Sequence, residues 1–543
     1  MRNHSKSSQA SNVARAIRAG FAVLLVAALY ACGGGGGGGD SSTAPPIGST
    51  PPPTGTAPAA LFYTVGGTVS GLNQGASLVL SNNGSSQVTV TANGAFSFSA
   101  SLPAAGAYDV TVSTQPTGQV CSVSHASGTV GTANVNSVSV VCTATTPSTA
   151  PTAVVGDANA VPLVLDGGRP LNAGAYMANA VYATIEICSP GGAQCAIIDH
   201  VIVDTGSTGL RLFASALNAI NPSLLASLPQ ASTAAGAVTG ECESFASGTT
   251  WGGVRNADLH WGGSNYAGET VANIPIQVIG DTDSRVSTIP ASCSNQGVSQ
   301  TARSMIANGI IGVGLTAKDC GASCALYAYP TYYQCDGTQC SPVTMPLANQ
   351  VPNPVSAMSS DNNGSMILLP NLPTGGASSS SGLLILGIST RSNNQFDSAS
   401  VVLGANGNRM FASNFNGNTL PYSFIDSGSS VNYLASTGTV PLTICTSSPN
   451  FICPGASITL TANNTGTQGT SGAANVLIVD AQLSFTDQPG YNAVPGLSYA
   501  LSGTPSEMDL GASFFYGRVI STLIENQIAG GMAVTGPAFG YTP

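Results

Sequence analysis

Two short segments of the sequence set a carboxylate at the head of a turn made of hydroxyl and glycine residues: Asp204-Thr205-Gly206-Ser207 and Asp426-Ser427-Gly428-Ser429. Two carboxylates aimed at one water molecule form a complete hydrolytic device. Held about 3 Å apart they cannot both ionise, so one keeps a proton while the other acts as a base. The ionised member takes a proton from water as it attacks a carbonyl. The protonated member stabilises the oxyanion and helps deliver a proton to the leaving group. Gly206 and Gly428 let the two backbones approach without a Cβ between them. The hydroxyls of Thr205 and Ser427 are of a type to bond across to the opposite turn. Those of Ser207 and Ser429 suit donation to the outer carboxylate oxygens, fixing each Asp. Either turn alone is also ordinary Asx chemistry, in which the carboxylate bonds its own backbone. Both together, in this order, favour a shared cleft.

The elements that must position these turns are short strands. Only 7% of the 543 residues are charged, and Lys6 and Lys318 are the two lysines. Long amphipathic helices need charged faces that this composition lacks. A chain rich in Gly, Ser, Thr, Asn and Val instead suits strands joined by tight turns. A net charge of −10 excludes a nucleic-acid partner, because phosphate binding needs clustered Lys and Arg. The sequence from His200 to Ser207 (HVIVDTGS) reappears from Tyr422 to Ser429 (YSFIDSGS), each an apolar strand running into the Asp turn. Each copy is later followed by an apolar-Gly segment, Ile310-Ile-Gly-Val-Gly314 and Met508-Asp-Leu-Gly511, with Asp509 interrupting the second. A duplicated β-lobe accounts for this spacing.

The expected domain order follows from composition. Residues 1–32 read as a signal segment: Arg2, Lys6, Arg15 and Arg18 precede a short apolar run, Gly20 to Ala31. It ends Leu29-Tyr-Ala-Cys32, which resembles a bacterial lipobox, implying lipidation of Cys32, a membrane attachment through that lipid and a place in the cell envelope, at the outer membrane on its periplasmic or surface face. Residues 33–60 are a Gly/Pro tether. Residues 61–143 alternate with period two and predict a small antiparallel β-sandwich, with a hairpin at Asn93-Gly94. Residues 144–152 form a linker, and 153–370 and 371–543 make two lobes. Removing Cys32 from the 13 cysteines leaves an even number, suited to an oxidising compartment. Short-range pairs suggest Cys121/Cys142, Cys188/Cys195, Cys320/Cys324, Cys335/Cys340 and Cys445/Cys453, with Cys242/Cys293 completing six bridges. Zinc is the competing reading around Cys320 to Cys340, but no histidine lies nearby and the spacing fits zinc poorly.

Five elements in order make a resemblance specific. Val201-Ile-Val-Asp-Thr-Gly-Ser-Thr-Gly-Leu210 and Phe424-Ile-Asp-Ser-Gly-Ser-Ser430 look like the two active-site elements of the pepsin family. Asn308 to Gly314, Gly382 to Gly387, and Leu510 to Tyr516 with Gly536 to Gly540 resemble its remaining conserved segments. The resemblance covers most of residues 165–543. It implies an all-β fold, a bilobal pepsin-like double β-barrel behind the sandwich module, and an aspartic endopeptidase acting through Asp204 and Asp426. Its implied partner is an extended peptide or unfolded protein between the lobes of a monomer, with no cofactor and no metal. A closer resemblance, over nearly the whole main body, is to bacterial lipoproteins of unassigned activity sharing Asn353-Pro354-Val355 and a following Asp-Asn-Asn-Gly turn. The pepsin pattern breaks at the flap, where Phe245 stands in place of the tyrosine and Arg211 in place of its tryptophan partner. Phe245 and Trp251 are the expected flap or substrate contacts. The departure keeps a second reading open: an inactive scaffold that binds peptide or glycan.

Overall fold

In the computed structural model, residues 61–144 and 151–543 are described, apart from 115, 117–118, 169–175, 234, 502 and 504. The expected signal segment, Cys32 and the tether lie outside the described residues. The described residues divide into two compact units, 61–144 and 151–543.

The first unit is a sandwich of two four-stranded sheets. One has the order Gly94–Pro103, Phe62–Ser70, Val135–Ala144, Gln119–Ser124, and the other Ser86–Val90, Leu78–Asn82, Ala107–Thr114, Ser127–Thr129. Alternate residues such as Leu78, Leu80, Phe98 and Val140 face inward and are fully buried. The hairpin expected at Asn93-Gly94 is not one: these residues carry the chain from one sheet to the other. Asn93 instead bonds both the N–H and the C=O of Leu72 through its side-chain amide. The hairpin belongs to a different Asn-Gly pair, Asn83-Gly84, where both residues have positive φ and Asn82 pairs with Ser86. The local signal is the same in both places; tertiary pairing decides which becomes a hairpin.

The second unit is again all-β, with short helices in its connections. A 15-stranded sheet runs from Cys340–Pro342 at one edge to Val401–Gly404 at the other, and a seven-stranded sheet holds most of the later strands. The long sheet continues across the expected 370/371 lobe boundary: Ser380–Leu386 pairs with Ala160–Leu165 on one side and Gly364–Leu368 on the other.

The sequence repeat is a structural repeat. The strand Cys195–Asp204 runs parallel to Gly309–Val313 with Asp204 opposite Gly312, and Thr208–Phe213 returns antiparallel along the other side. The strand Asn418–Asp426 likewise runs parallel to Asp509–Gly511 with Asp426 opposite Gly511, and Asn432–Ala435 returns beside it. Val201, Ile202 and Val203 are buried on both faces, as a continuous apolar run between two partner strands requires. The glycines opposite each Asp are obligatory. A Cβ on Gly312 would sit 2.6 Å from the Thr208 amide nitrogen, and one on Gly511 would sit 2.0 Å from the Val431 carbonyl oxygen.

All six expected disulfides are present: Cys121–Cys142, Cys188–Cys195, Cys242–Cys293, Cys320–Cys324, Cys335–Cys340 and Cys445–Cys453.

Candidate active site

The two Asp turns meet face to face and exchange hydrogen bonds. The Ser427 N–H donates to Thr205 Oγ1 at 2.9 Å, and the Thr205 N–H donates to Ser427 Oγ at 3.1 Å. Each hydroxyl in turn donates to the strand that precedes the other Asp, Ser427 Oγ to the Val203 carbonyl at 2.7 Å and Thr205 Oγ1 to the Ile425 carbonyl at 3.3 Å. All four are buried, so each bond replaces water that would otherwise be lost at a cost.

This grip brings the carboxyls together. The Gly206 N–H donates to Asp204 Oδ1 at 2.7 Å and also reaches Asp426 Oδ1 at 3.1 Å, so both carboxyls converge on one amide. Ser207 Oγ donates to Asp204 Oδ2 at 2.5 Å and Ser429 Oγ to Asp426 Oδ2 at 3.0 Å, while Gly428 N–H supports Asp426 Oδ1 at 2.7 Å. The inner oxygens therefore face each other and the outer ones are held by serines. Asp204 is buried and Asp426 half-buried, while Gly206 and Gly428 are exposed, so the pair opens to solvent over the glycine backbone. Lost hydration, then the Asp204 and Asp509 charges, push Asp426 well above the usual carboxylate range. A cavity of about 150 Å³ adjoins the turns, bounded by Thr205, Gly206, Leu315, Phe424, Phe539 and Arg409.

The Asn-Pro-Val segment props this arrangement from beneath. Asn353 is fully buried; its Nδ2 donates to the Gly314 carbonyl at 2.8 Å and its Oδ1 accepts the Val355 N–H at 3.0 Å. Gly314 in turn donates its N–H to the Ser207 carbonyl at 2.9 Å.

The expected flap is a hairpin of Val238–Phe245 with Gly248–Trp261. Phe245 lies at its tip, packed on the apolar cluster that includes Tyr182, Phe213 and Met305. Trp251 does not face a cleft. Only 5% exposed, it packs against Tyr333 and the Cys242–Cys293 bridge, and its Nε1 donates to the Val286 carbonyl at 2.7 Å. Its expected substrate contact is therefore replaced by a structural one, because its position on the hairpin turns it inward.

Arg211 has no exposed surface and ties the hairpin to the Asp204 strand. It donates to the Thr208 carbonyl at 2.6 Å and pairs with Glu241 at 2.7 Å, Glu243 at 3.2 Å and Asp319 at 3.4 Å. Tyr332 bonds Asp319 at 2.6 Å and accepts the Val351 N–H, joining the network to the Asn-Pro-Val segment. Burial, opposed by Arg211 and reinforced by Asp319, pushes Glu241 up to about 8. Sequence reasoning missed Glu241, Asp319 and Tyr332; the available signal was ionisable residues within apolar strands of a chain poor in charge.

Among the described residues, two groups have metal-ligand character. Glu241, Glu243 and Asp319 converge, but on the Arg211 guanidinium, which already supplies the cation. Glu186, Cys188 and His260 also converge, yet Cys188 is in a disulfide and offers no thiolate. His200 Nε2 hydrogen-bonds Asp166 at 3.1 Å, its Nδ1 lies 3.1 Å from Asp199 without forming a hydrogen bond, and the ring stands outside the pair of turns.

Fold and site thus define an all-β protein with two interlocked aspartate turns. The chain belongs to the family described as "Protein of unknown function (DUF3443)", which matches residues 156–541. A search of curated proteins returned no match.

Proposed function

We propose that this chain is a pepsin-type aspartic hydrolase of the cell envelope, lipid-tethered through Cys32, whose two lobes admit extended or unfolded polypeptide. The observation that carries the reading is the reciprocal bonding of the two turns, which brings Asp204 and Asp426 onto the same Gly206 N–H at an open face. Asp204 takes a proton from water as it attacks the peptide carbonyl. Asp426 gives its proton to the oxyanion, forming a gem-diol. Collapse of that intermediate breaks the C–N bond as a proton passes from the pair to the departing nitrogen. The adjoining cavity, with Leu315, Phe424 and Phe539 in its wall, suits an apolar side chain of the substrate.

The test is hydrolysis of an unfolded protein by the full chain in detergent, from about pH 3 to about pH 7. Cleavage abolished by Asp204→Asn supports the reading; no cleavage, or cleavage that survives Asp204→Asn, ends it. A second reading is favoured by Arg211, which commits the tryptophan position to an ion network: a scaffold that holds peptide or glycan without cutting it. Tight binding of intact peptide with no products distinguishes that case.

A further inference from the structure

The cavity beside the two Asp turns carries a single charged group. Leu315, Met410, Phe424 and Phe539 give it apolar walls. Thr205 and Gly206 bring it against the Asp204 turn, and Arg409 supplies its one ionisable side chain. Phe424 stands just before Asp426 on the strand Asn418–Asp426, which pairs with Phe411–Phe415. The turn that ends at Met410 is therefore fixed to the strand that delivers the second aspartate.

That turn holds Arg409 in place. The Asn406 N–H donates to the Met410 carbonyl at 2.9 Å, and its own carbonyl accepts the Arg409 N–H at 2.8 Å. Its Oδ1 accepts the N–H groups of Asn408 at 2.8 Å and Met410 at 3.2 Å. The left-handed position in this turn falls on Arg409, with φ of 66°, and not on the neighbouring Gly407. Glycine would fill it without strain, so an arginine there is retained against the backbone's preference. Arg211, Arg255, Arg285 and Arg391 pair with carboxylates of this chain. Arg409 is exposed and forms no ion pair among the described residues.

A guanidinium is a planar fork of N–H donors that meets a carboxylate in two parallel bonds. Apolar walls with such a fork at one side fit a group with a hydrocarbon stem and a terminal carboxylate. Asp204 and Asp426 next door repel an anion, and the Arg409 charge offsets that repulsion. We propose that Arg409 is a specificity-determining residue: the cavity takes a part of the substrate whose stem lies against its apolar walls and whose carboxylate is bound by the Arg409 guanidinium. Two sources offer this chemistry, a glutamate side chain beside the scissile bond and the free carboxylate of a chain end.

This rests on the hydrolase reading, and the experiment separates the two. The full chain in detergent is given matched peptides that carry Glu, Gln or Lys beside the cleaved bond, each with a free or an amidated C-terminus. At about pH 6 and low salt, kcat/KM in the wild type should favour a carboxylate over its amide by about fivefold or more. The ratio should fall to about one in Arg409→Gln, and Arg409→Glu should prefer the Lys peptide. Taking ratios within one protein cancels any effect of the substitution on folding or on the aspartate pair. Arginine keeps its charge throughout, so the preference should vanish near about pH 3, where the peptide's own carboxyl is protonated. A preference confined to Glu over Gln assigns the side chain, and one confined to free acid over amide assigns the chain end. Equal ratios in wild type and Arg409→Gln, or an acid preference that survives in Arg409→Glu, would overturn the proposal. If the wild type cleaves nothing, the hydrolase reading fails on its own, and fluorescence anisotropy with the same peptides still tests Arg409. Tighter binding of the carboxylate peptide, lost in Arg409→Gln, then supports the proposal; equal affinities, or no binding of either peptide, refute it.

Discussion

Thr205 and Ser427 accept each other's backbone N–H, at 2.9 and 3.1 Å, and each hydroxyl also donates to the strand that ends in the other's aspartate. Two chain segments 222 positions apart are therefore held by bonds that neither could make alone. Replacing Thr205 by Val keeps the shape and leaves the Ser427 N–H buried and unsatisfied. We expect a loss of about 1–3 kcal/mol in unfolding free energy. A double-mutant cycle with Ser427→Ala, measured by urea denaturation, should give a coupling energy well above zero; simple additivity would show that the turns are held by the surrounding sheets instead.

The close approach of the glycines can be tested separately from the hydroxyls. A Cβ on Gly206 would lie 2.6 Å from Asp426 Cγ, and one on Gly428 would lie 2.6 Å from Asp204 Cγ. Either Gly→Ala substitution must push the carboxyls apart. An ångström-scale displacement of a reacting group costs about a hundredfold in rate, so kcat for peptide hydrolysis should fall by about that factor. Melting temperature should fall little, because both glycines are exposed.

Arg211 is the cation within a group of three carboxylates, and it has no exposed surface. Above about pH 8, where Glu241 is ionised, Arg211→Met preserves volume but leaves Glu241 and Asp319 buried without compensation. Breaking a buried pair from one side typically costs about 3–5 kcal/mol, and we expect a loss of that order in chemical denaturation. Adding Glu241→Gln should restore part of it. A neutral outcome for Arg211→Met alone would mean that the acids are already fully protonated.

The repeat, the six bridges and the paired turns were legible because each is local: spacing, hydroxyl type and glycine carry them. The Asn93-Gly94 hairpin and the role of Trp251 were misread because both depend on which sheet face a residue joins, and the local sequence is compatible with either. Asp509 was visible only as an interruption of an apolar run. Its neighbours on the flanking strands, Phe424 and Tyr433, come from a segment far earlier in the chain. The Arg211 network was hidden for the same reason, since Glu241 and Asp319 reach it from separate loops and strands.

The same network gives a pH dependence whose sign can be worked out. Glu241 has an ordinary value near 4.5 and is pushed up to about 8 in the folded chain, first by burial. A raised folded-state pKa means that folding favours the protonated acid. Its contribution is complete below about pH 4.5 and is lost as pH rises through about 8. Wild type should therefore lose stability across that window, while Glu241→Gln, which cannot ionise, should lose less. The measurement is the urea midpoint at closely spaced pH values for the two proteins. Curves of equal slope between these limits would show that Glu241 is ionised throughout and that Arg211 alone compensates it.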